Sequence, residues 1–506
     1  MTENGVAIQS KKSNTLNRRY LLILLVITLL VQGVMFISYP LGNSVNNDNQ
    51  AGQVYLMDEF VSGNFMVGNV RYNPGYALVL APFKALTNPL GRLAPRALLL
   101  IHLLIVSTIP FMAYDIMRRR FSVRVGFITG LIVLLDPFGL QWAHFQLPGW
   151  LIAFVMVWAL WLAQLAWDTT PRRRFMLVGL ASGALGVMTF ARFNFSPLVA
   201  LYGVSFLLWW HIPLKQRVGL FMLVGVISAG ILGGYIVGIH IPSTGTTTLS
   251  CITGNNMATG LLEKEIPMRA SNGPKSEHYA LMLTLKADRT TDFYEYTYPL
   301  WQNPNSWVSE DELKTFLAQP FGTPKEEITT VFPAELYWFL GPCEADAMLF
   351  DIYGEAVARE PLKLVLETLK STLYMLIQHP TETSFPHMYV DRVENIHWRG
   401  EGQLGFYEAD SAMYNGHLVW QPGVWIFTML FTPLNLIKLL TPLAVIWALW
   451  KRDWFTVTVA VLLVVGLVLI AGAARMEPRY YAMLSPLFTI LIGGFLAEIY
   501  QRVRAG

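Results

Sequence analysis

Residues 148–174 read PGWLIAFVMVWALWLAQLAWDTTPRRR, twenty residues without an ionisable group, then a short polar turn, then three arginines. An apolar run of about twenty residues matches the hydrocarbon thickness of a bilayer as a helix, the form that satisfies its own backbone hydrogen bonds in lipid. The arginines behind it mark the side on which the helix stops, because short cytoplasmic connections collect Lys and Arg. Read this way, residues 148–167 are a membrane span and Arg172 to Arg174 lie inside the cell.

The same pattern extends in both directions. Spans are expected at 20–38, 96–115, 123–140, 148–167, 175–190, 194–210, 218–240, 424–449, 455–472 and 480–499, about ten in all. Every second connection is basic: Lys11, Lys12, Arg18 and Arg19, then Arg118 to Arg120, Arg172 to Arg174, Lys215 and Arg217, Lys451 and Arg452, and Arg502 and Arg504. An even count then places both termini in the cytoplasm of a multi-pass protein of the cell (inner or plasma) membrane. The first apolar run follows basic residues as a signal peptide would, but no small-residue cleavage site follows it, so it reads as a retained span. The composition agrees, with 54% hydrophobic and 14% charged residues. A net charge of +3 over 506 residues gives no sign of nucleic-acid binding.

The expected organisation is an all-α polytopic membrane protein in three parts. Residues 1–240 form an N-terminal transmembrane module with a first outer loop at 39–95, residues 241–423 an extracytoplasmic domain, and residues 424–506 the C-terminal transmembrane helices. In the outer domain, residues 346–378 place apolar groups at three- and four-residue intervals, which predicts one or two amphipathic helices broken near Pro361. Cys251 and Cys343 both fall there. Two cysteines match no zinc pattern, and a single disulfide and two free thiols are both open.

Chemistry is sought on the outer side. Asp48 follows the first span closely, and an acid beside the membrane can deprotonate a hydroxyl or ligate a divalent metal; Asp58 is a second acid in the same loop. Arg475, Glu477, Arg479 and Tyr480 stand at the outer mouth of the last span. Arginine there runs against the positive-inside bias, and either a phosphate or a lipid headgroup would compensate it. Arg192, at the turn between the fifth and sixth spans, invites the same two readings. Asp136 sits near the outer end of the third span, where an ionisable group must be paired or wet, and either caps the span or acts in catalysis. The spans otherwise read as nearly free of charge. No P-loop, Ser-His-Asp arrangement or HExxH pattern is present.

Taken with their order, these segments resemble the GT-C class of polyprenyl-phosphate-sugar-dependent glycosyltransferases, which includes protein mannosyltransferases and lipid A aminoarabinose transferases. The likeness lies in Asp48 soon after the first span, the aromatic stretch Tyr55 to Gly63, YNPGYALVLAPFKAL (Tyr72 to Leu86), MTFARF around Arg192, and EPRYYAMLSPL (Glu477 to Leu487). It departs from the family in that Tyr55 stands seven residues after Asp48 instead of close behind it. It departs again where relatives carry an acid in the second outer loop and this chain has QLPGW, leaving Asp136 as the substitute.

The resemblance implies attack of an acceptor hydroxyl on the anomeric carbon of a polyprenyl-phosphate-linked sugar, with inversion. Asp48 would serve as base, Asp58 or Asp136 as alternatives. Arg479, Arg475 and Arg192 would face the phosphate, with Tyr480, Glu477 and Tyr72 in the binding region. The implied partners are the lipid-linked donor, a glycan, lipid or protein acceptor, and membrane lipid. No cofactor is implied beyond a divalent metal at Asp48. Competing readings are a lipid-linked oligosaccharide flippase or transporter, a glycan ligase or polymerase, and a non-catalytic scaffold.

Overall fold

The computed structural model describes residues 3–38, 48–66, 73–136, 139–140, 148–282, 328, 340–377, 436–473 and 478–505. Among them the regular structure is helical throughout. The first is α1 (Glu3–Ser38), followed by α2 (Asp48–Val61), α3 (Gly75–Thr87), α4 (Ala94–Val106), α5 (Ile109–Arg120) and α6 (Val123–Leu134). Next come α7 (Gly149–Trp167), α8 (Pro171–Ala191), α9 (Ser196–Ser205) and α10 (Leu214–Tyr235), the last prolonged through a π turn, Ile236–His240, to Thr244. Prolines in the first turns of α4, α5, α8 and α9 set these starts, where a missing N–H costs nothing. Ser122 caps α6 by accepting a bond from the Val125 N–H at 3.3 Å.

Among the described residues seven helical stretches are long and apolar enough to cross a membrane: Thr15–Val34, Arg96–Arg120, Gly149–Trp167, Pro171–Ala191, Leu214–Thr244, Trp454–Gly472 and Met483–Arg504. Val123–Leu134 and Ser196–Leu208 are shorter apolar helices. The chain is therefore an all-helical, multi-pass membrane protein. Of the ten expected spans, 123–140 stops early, at Leu134, and 218–240 runs on to Thr244. The span at 424–449 is described only from residue 436, where a short turn leads into α15 (Thr441–Lys451) after the intervening helices named below.

The basic connections converge on one end of the bundle. Arg118 and Arg119 pair with Asp115, which also accepts from the Trp161 indole at 2.9 Å. Arg120 bonds Asp453 and, at 3.1 Å, Gln164. Arg174 bonds Gln216 at 2.7 Å and the carbonyl of Thr169 at 2.9 Å. Lys451 reaches Glu498 at 2.6 Å. Trp167 stacks on Trp454 and meets Trp209 edge-on, forming an aromatic layer of the kind found where hydrocarbon gives way to headgroups.

A second, smaller core belongs to the middle of the chain. It is built by α11 (Thr253–Glu263), α12 (Pro274–Met282) and α13 (Pro342–Arg359), with Ala258, Leu261, Tyr279, Leu349 and Ile352 buried together. Two acids of α13 hold the other helices by their N-termini. Asp346 accepts from the Asn255 N–H at 2.9 Å, and Glu355 from the Lys275 and Ser276 N–H groups at 3.0 and 2.8 Å. Gly254 has to be glycine, since a Cβ there would lie 2.0 Å from the Asp346 carbonyl oxygen. Cys251 and Cys343 are joined in a disulfide that ties the lead-in of α11 to the first turn of α13. Behind α13 the chain breaks at Glu360 and continues as α14 (Pro361–Ile377), the break falling beside Pro361 as the sequence predicts. The last two helices are α16 (Trp454–Ala473) and α17 (Pro478–Ala505).

Candidate functional site

Arg124 of α6, Lys451 of α15 and Arg502 and Arg504 of α17 lie at the arginine-rich end, so Asp136, Lys438 and Ser485 lie toward the other. There α2 and α3 lie against the bundle. They run side by side in the same sense: Gln53 of α2 donates to the Asn73 carbonyl at 3.1 Å, just before α3, and Asp58 reaches Lys84 in the third turn of α3 at 2.5 Å. Asp48, the first residue of α2, is thereby placed at the Gly75 end of α3.

That end of α3 abuts the end of α8. A Cβ built on Gly75 would lie 2.4 Å from the Ala191 nitrogen and 2.6 Å from the Phe190 carbonyl carbon, so only glycine permits the approach. Arg192 follows at once, leaving the helix in extended conformation (φ −155°, ψ 105°) before the Phe193–Phe195 turn. Gly75 of the YNPGY segment and Phe190–Ala191 of the MTFARF segment, far apart in sequence, are thus backbone to backbone. Beside them Tyr76, fully buried, meets Trp150 edge-on, and His102 lies with its ring 4.0 Å from Trp150.

Several of the expected residues are described in part or not at all. The backbones of Asp48, Arg479 and Tyr480 are helical, and their side chains lie outside the described ones. Tyr72, Arg475 and Glu477 lie outside the described residues altogether. Asp58 is half exposed and held by Lys84, which is buried. That carboxylate is already engaged by an ammonium in direct contact, so it is a weaker candidate base than Asp48.

Asp136 is held in a buried ion pair. Only 4% of its surface is exposed, and Lys438 Nζ lies 3.0 Å from both of its oxygens. Ser485 donates to the same carboxylate and accepts from Lys438 at 2.6 Å. A carboxylate so occupied is closed to an acceptor hydroxyl, and its chemistry is that of an ion pair linking α6, the lead-in of α15 and α17. Two of the expected spans, 123–140 and 424–449, thus each carry a buried charge. Lys438 and Ser485 were not among the sequence candidates. The signal was available in NLIKLLTPLAVIW, where one lysine interrupts an apolar run and so demands a buried acid.

Among the described residues, no three of His, Cys, Asp and Glu come together as a metal site would need. The side chain of Asp48, the candidate metal ligand, lies outside the described ones.

The fold defines a multi-pass helical membrane protein with polar groups at both ends of its bundle. The sequence matches no protein-family model and no curated protein. Among solved structures the chain is similar to ArnT from Cupriavidus metallidurans bound to undecaprenyl phosphate, with 15% identity, 94% of this chain and 77% of that one covered, and a TM-score of 0.37. It is also similar to the archaeal oligosaccharyltransferase AglB from Archaeoglobus fulgidus, in complex with an inhibitory peptide and a dolichol-phosphate. There the identity is 13%, the coverage 96% of this chain and 51% of that one, and the TM-score 0.43. This chain spans about half the length of that oligosaccharyltransferase.

Proposed function

We propose that the protein is a membrane glycosyltransferase that moves a sugar from a polyprenyl-phosphate donor to an acceptor hydroxyl on the extracytoplasmic side, with inversion. The observation that carries this reading is the backbone contact between Gly75 and Phe190–Ala191. It sets the start of α3 against the end of α8, next in sequence to Arg192, and α2, which begins at Asp48, runs alongside α3. An acid and an arginine at one end of a membrane bundle are what the reaction asks for.

The chemistry follows from those groups. The acceptor oxygen bonds to the anomeric carbon while Asp48 takes its proton, and the bond from that carbon to the phosphate oxygen breaks, releasing the polyprenyl phosphate. Charge grows on the departing phosphate. Arg479, with Arg475 and Arg192, neutralises it through charge-assisted hydrogen bonds that strengthen as the bond breaks. Tyr480 orients the phosphate, and Glu477 and Tyr72 belong to the same binding region. Asp136 is given no chemical step, because Lys438 and Ser485 hold it.

The test is a transfer assay with the protein reconstituted in vesicles and offered a panel of polyprenyl-phosphate sugars. One donor class is expected to be consumed with release of polyprenyl phosphate. Movement of intact donor across the bilayer without cleavage would replace this reading by that of a transporter.

A further inference from the structure

Helix α14 has three faces. Leu364 packs on the outer core, Ser371 is buried, and Met375 joins the transmembrane core. A second edge carries Lys363, Glu367 and Lys370, the last two paired at 3.1 Å. On the third, Leu362, Val365, Leu366, Leu369 and Leu373 fall at positions i, i+3, i+4, i+7 and i+11, one stripe of a helix, and each is more than half exposed. Nothing in water rewards such a stripe, and a contiguous apolar patch of that kind marks an interaction surface.

What covers it follows from where the helix runs. It starts at the outer core, with Lys363 Nζ on the Glu265 carbonyl at 2.9 Å. Its middle passes the last turn of α16, where a Cβ on Gly472 would lie 3.8 Å from Thr368 Cγ2. It ends with Met375 among the buried residues of the bundle. At 1.5 Å per residue its 17 residues span roughly 25 Å, so it travels from the outer domain to the depth of the spans.

We propose that α14 is a lipid-embedded element. Its leucine stripe lies against the acyl chains of the leaflet at the end of the bundle opposite the arginines, and its Lys–Glu edge is turned away from them. The bilayer is the occupant because the stripe is continuous with a helix end that packs inside the transmembrane core. This inference does not rest on the glycosyltransferase reading.

Both native cysteines are bonded to each other, so an introduced one is the single thiol open to a spin label. Leu362→Cys, Leu366→Cys, Leu369→Cys and Leu373→Cys replace exposed side chains and leave the core intact, and Lys370→Cys is the control. The full chain is labelled and reconstituted in phosphatidylcholine–phosphatidylglycerol vesicles. Relaxation by dissolved oxygen, which partitions into acyl chains, is then compared with relaxation by a water-soluble nickel chelate. The stripe labels are expected to show an oxygen-to-nickel ratio several-fold above the control, rising from 362 to 373. A ratio no higher than at Lys370→Cys would overturn the proposal in favour of an aqueous face. Labels closed to both reagents would overturn it in favour of cover by protein.

Discussion

Lys438 shows what a single buried charge demands. Its ammonium is shut away from water, and the Asp136 carboxylate and the Ser485 hydroxyl offset the loss of hydration. Removing one partner leaves the other charged and alone, at a cost of about 3–5 kcal/mol, whereas removing both is often nearly neutral. Lys438→Met is therefore expected to lower the thermal unfolding temperature sharply, and Asp136→Asn with Lys438→Met to recover most of it. A double variant as unstable as the single one would mean that the two side chains act separately. Ser485 stands six residues after Arg479 on the same helix, so the pair also fixes the N-terminal end of α17. The sequence placed Asp136 at the right depth and still left its job open. Its partner lies 302 residues away, and only the packing of α6 against the lead-in of α15 makes the pair.

At the scale of elements, the helices of the smaller core stand on caps and one covalent tie. Burial pushes Asp346 up to about 6, against the pull of the α11 N–H groups that it caps. The folded domain therefore holds a proton between about pH 4 and pH 6 that the unfolded chain releases, and stability falls as pH rises through that window. Asp346→Asn should abolish this slope in thermal unfolding measured from pH 4 to 7. Glu355 acts with the opposite sign. Backbone and side-chain bonds from Lys275 and Ser276 hold it below its ordinary value, so the stability it contributes is present above that value and is lost as the pH falls. The Cys251–Cys343 bridge closes a separation of 92 residues, and replacing both by serine should cost about 2–4 kcal/mol. In the native protein both thiols should resist labelling until reduced, and ready labelling beforehand would contradict the bridge. The break at Pro361 was legible because proline cannot continue the hydrogen-bond ladder. The end of α6 was misread because hydropathy runs on past Leu134, although Asp136 precedes Pro137, where helical backbone is disfavoured.

For the whole molecule, charge and apolar length were the legible quantities. The arginine-rich turns gather at one end of the bundle, as their alternation along the sequence requires. Reporter fusions after residues 119, 173 and 451 should therefore report cytoplasm, and fusions near 60, 300 and 477 the outer side. An outer signal at 173 would break that orientation. What hydropathy could not supply was the meeting of distant segments, such as Gly75 with Ala191, since close approach depends on a missing Cβ and not on polarity. The central claim is that Asp48 is the base of a sugar transfer in which Arg479 faces the phosphate. It is tested most directly by measuring donor affinity, transfer rate and thermal stability together in Asp48→Asn and Arg479→Ala. A positioned base is worth about two to four orders of magnitude in rate, so Asp48→Asn should keep donor binding and stability while losing transfer by about that much. Arg479→Ala should weaken donor binding as well, with Arg479→Lys restoring only part, because a point charge cannot replace the guanidinium fork. A stable Asp48→Asn protein that transfers sugar at the native rate would contradict the account.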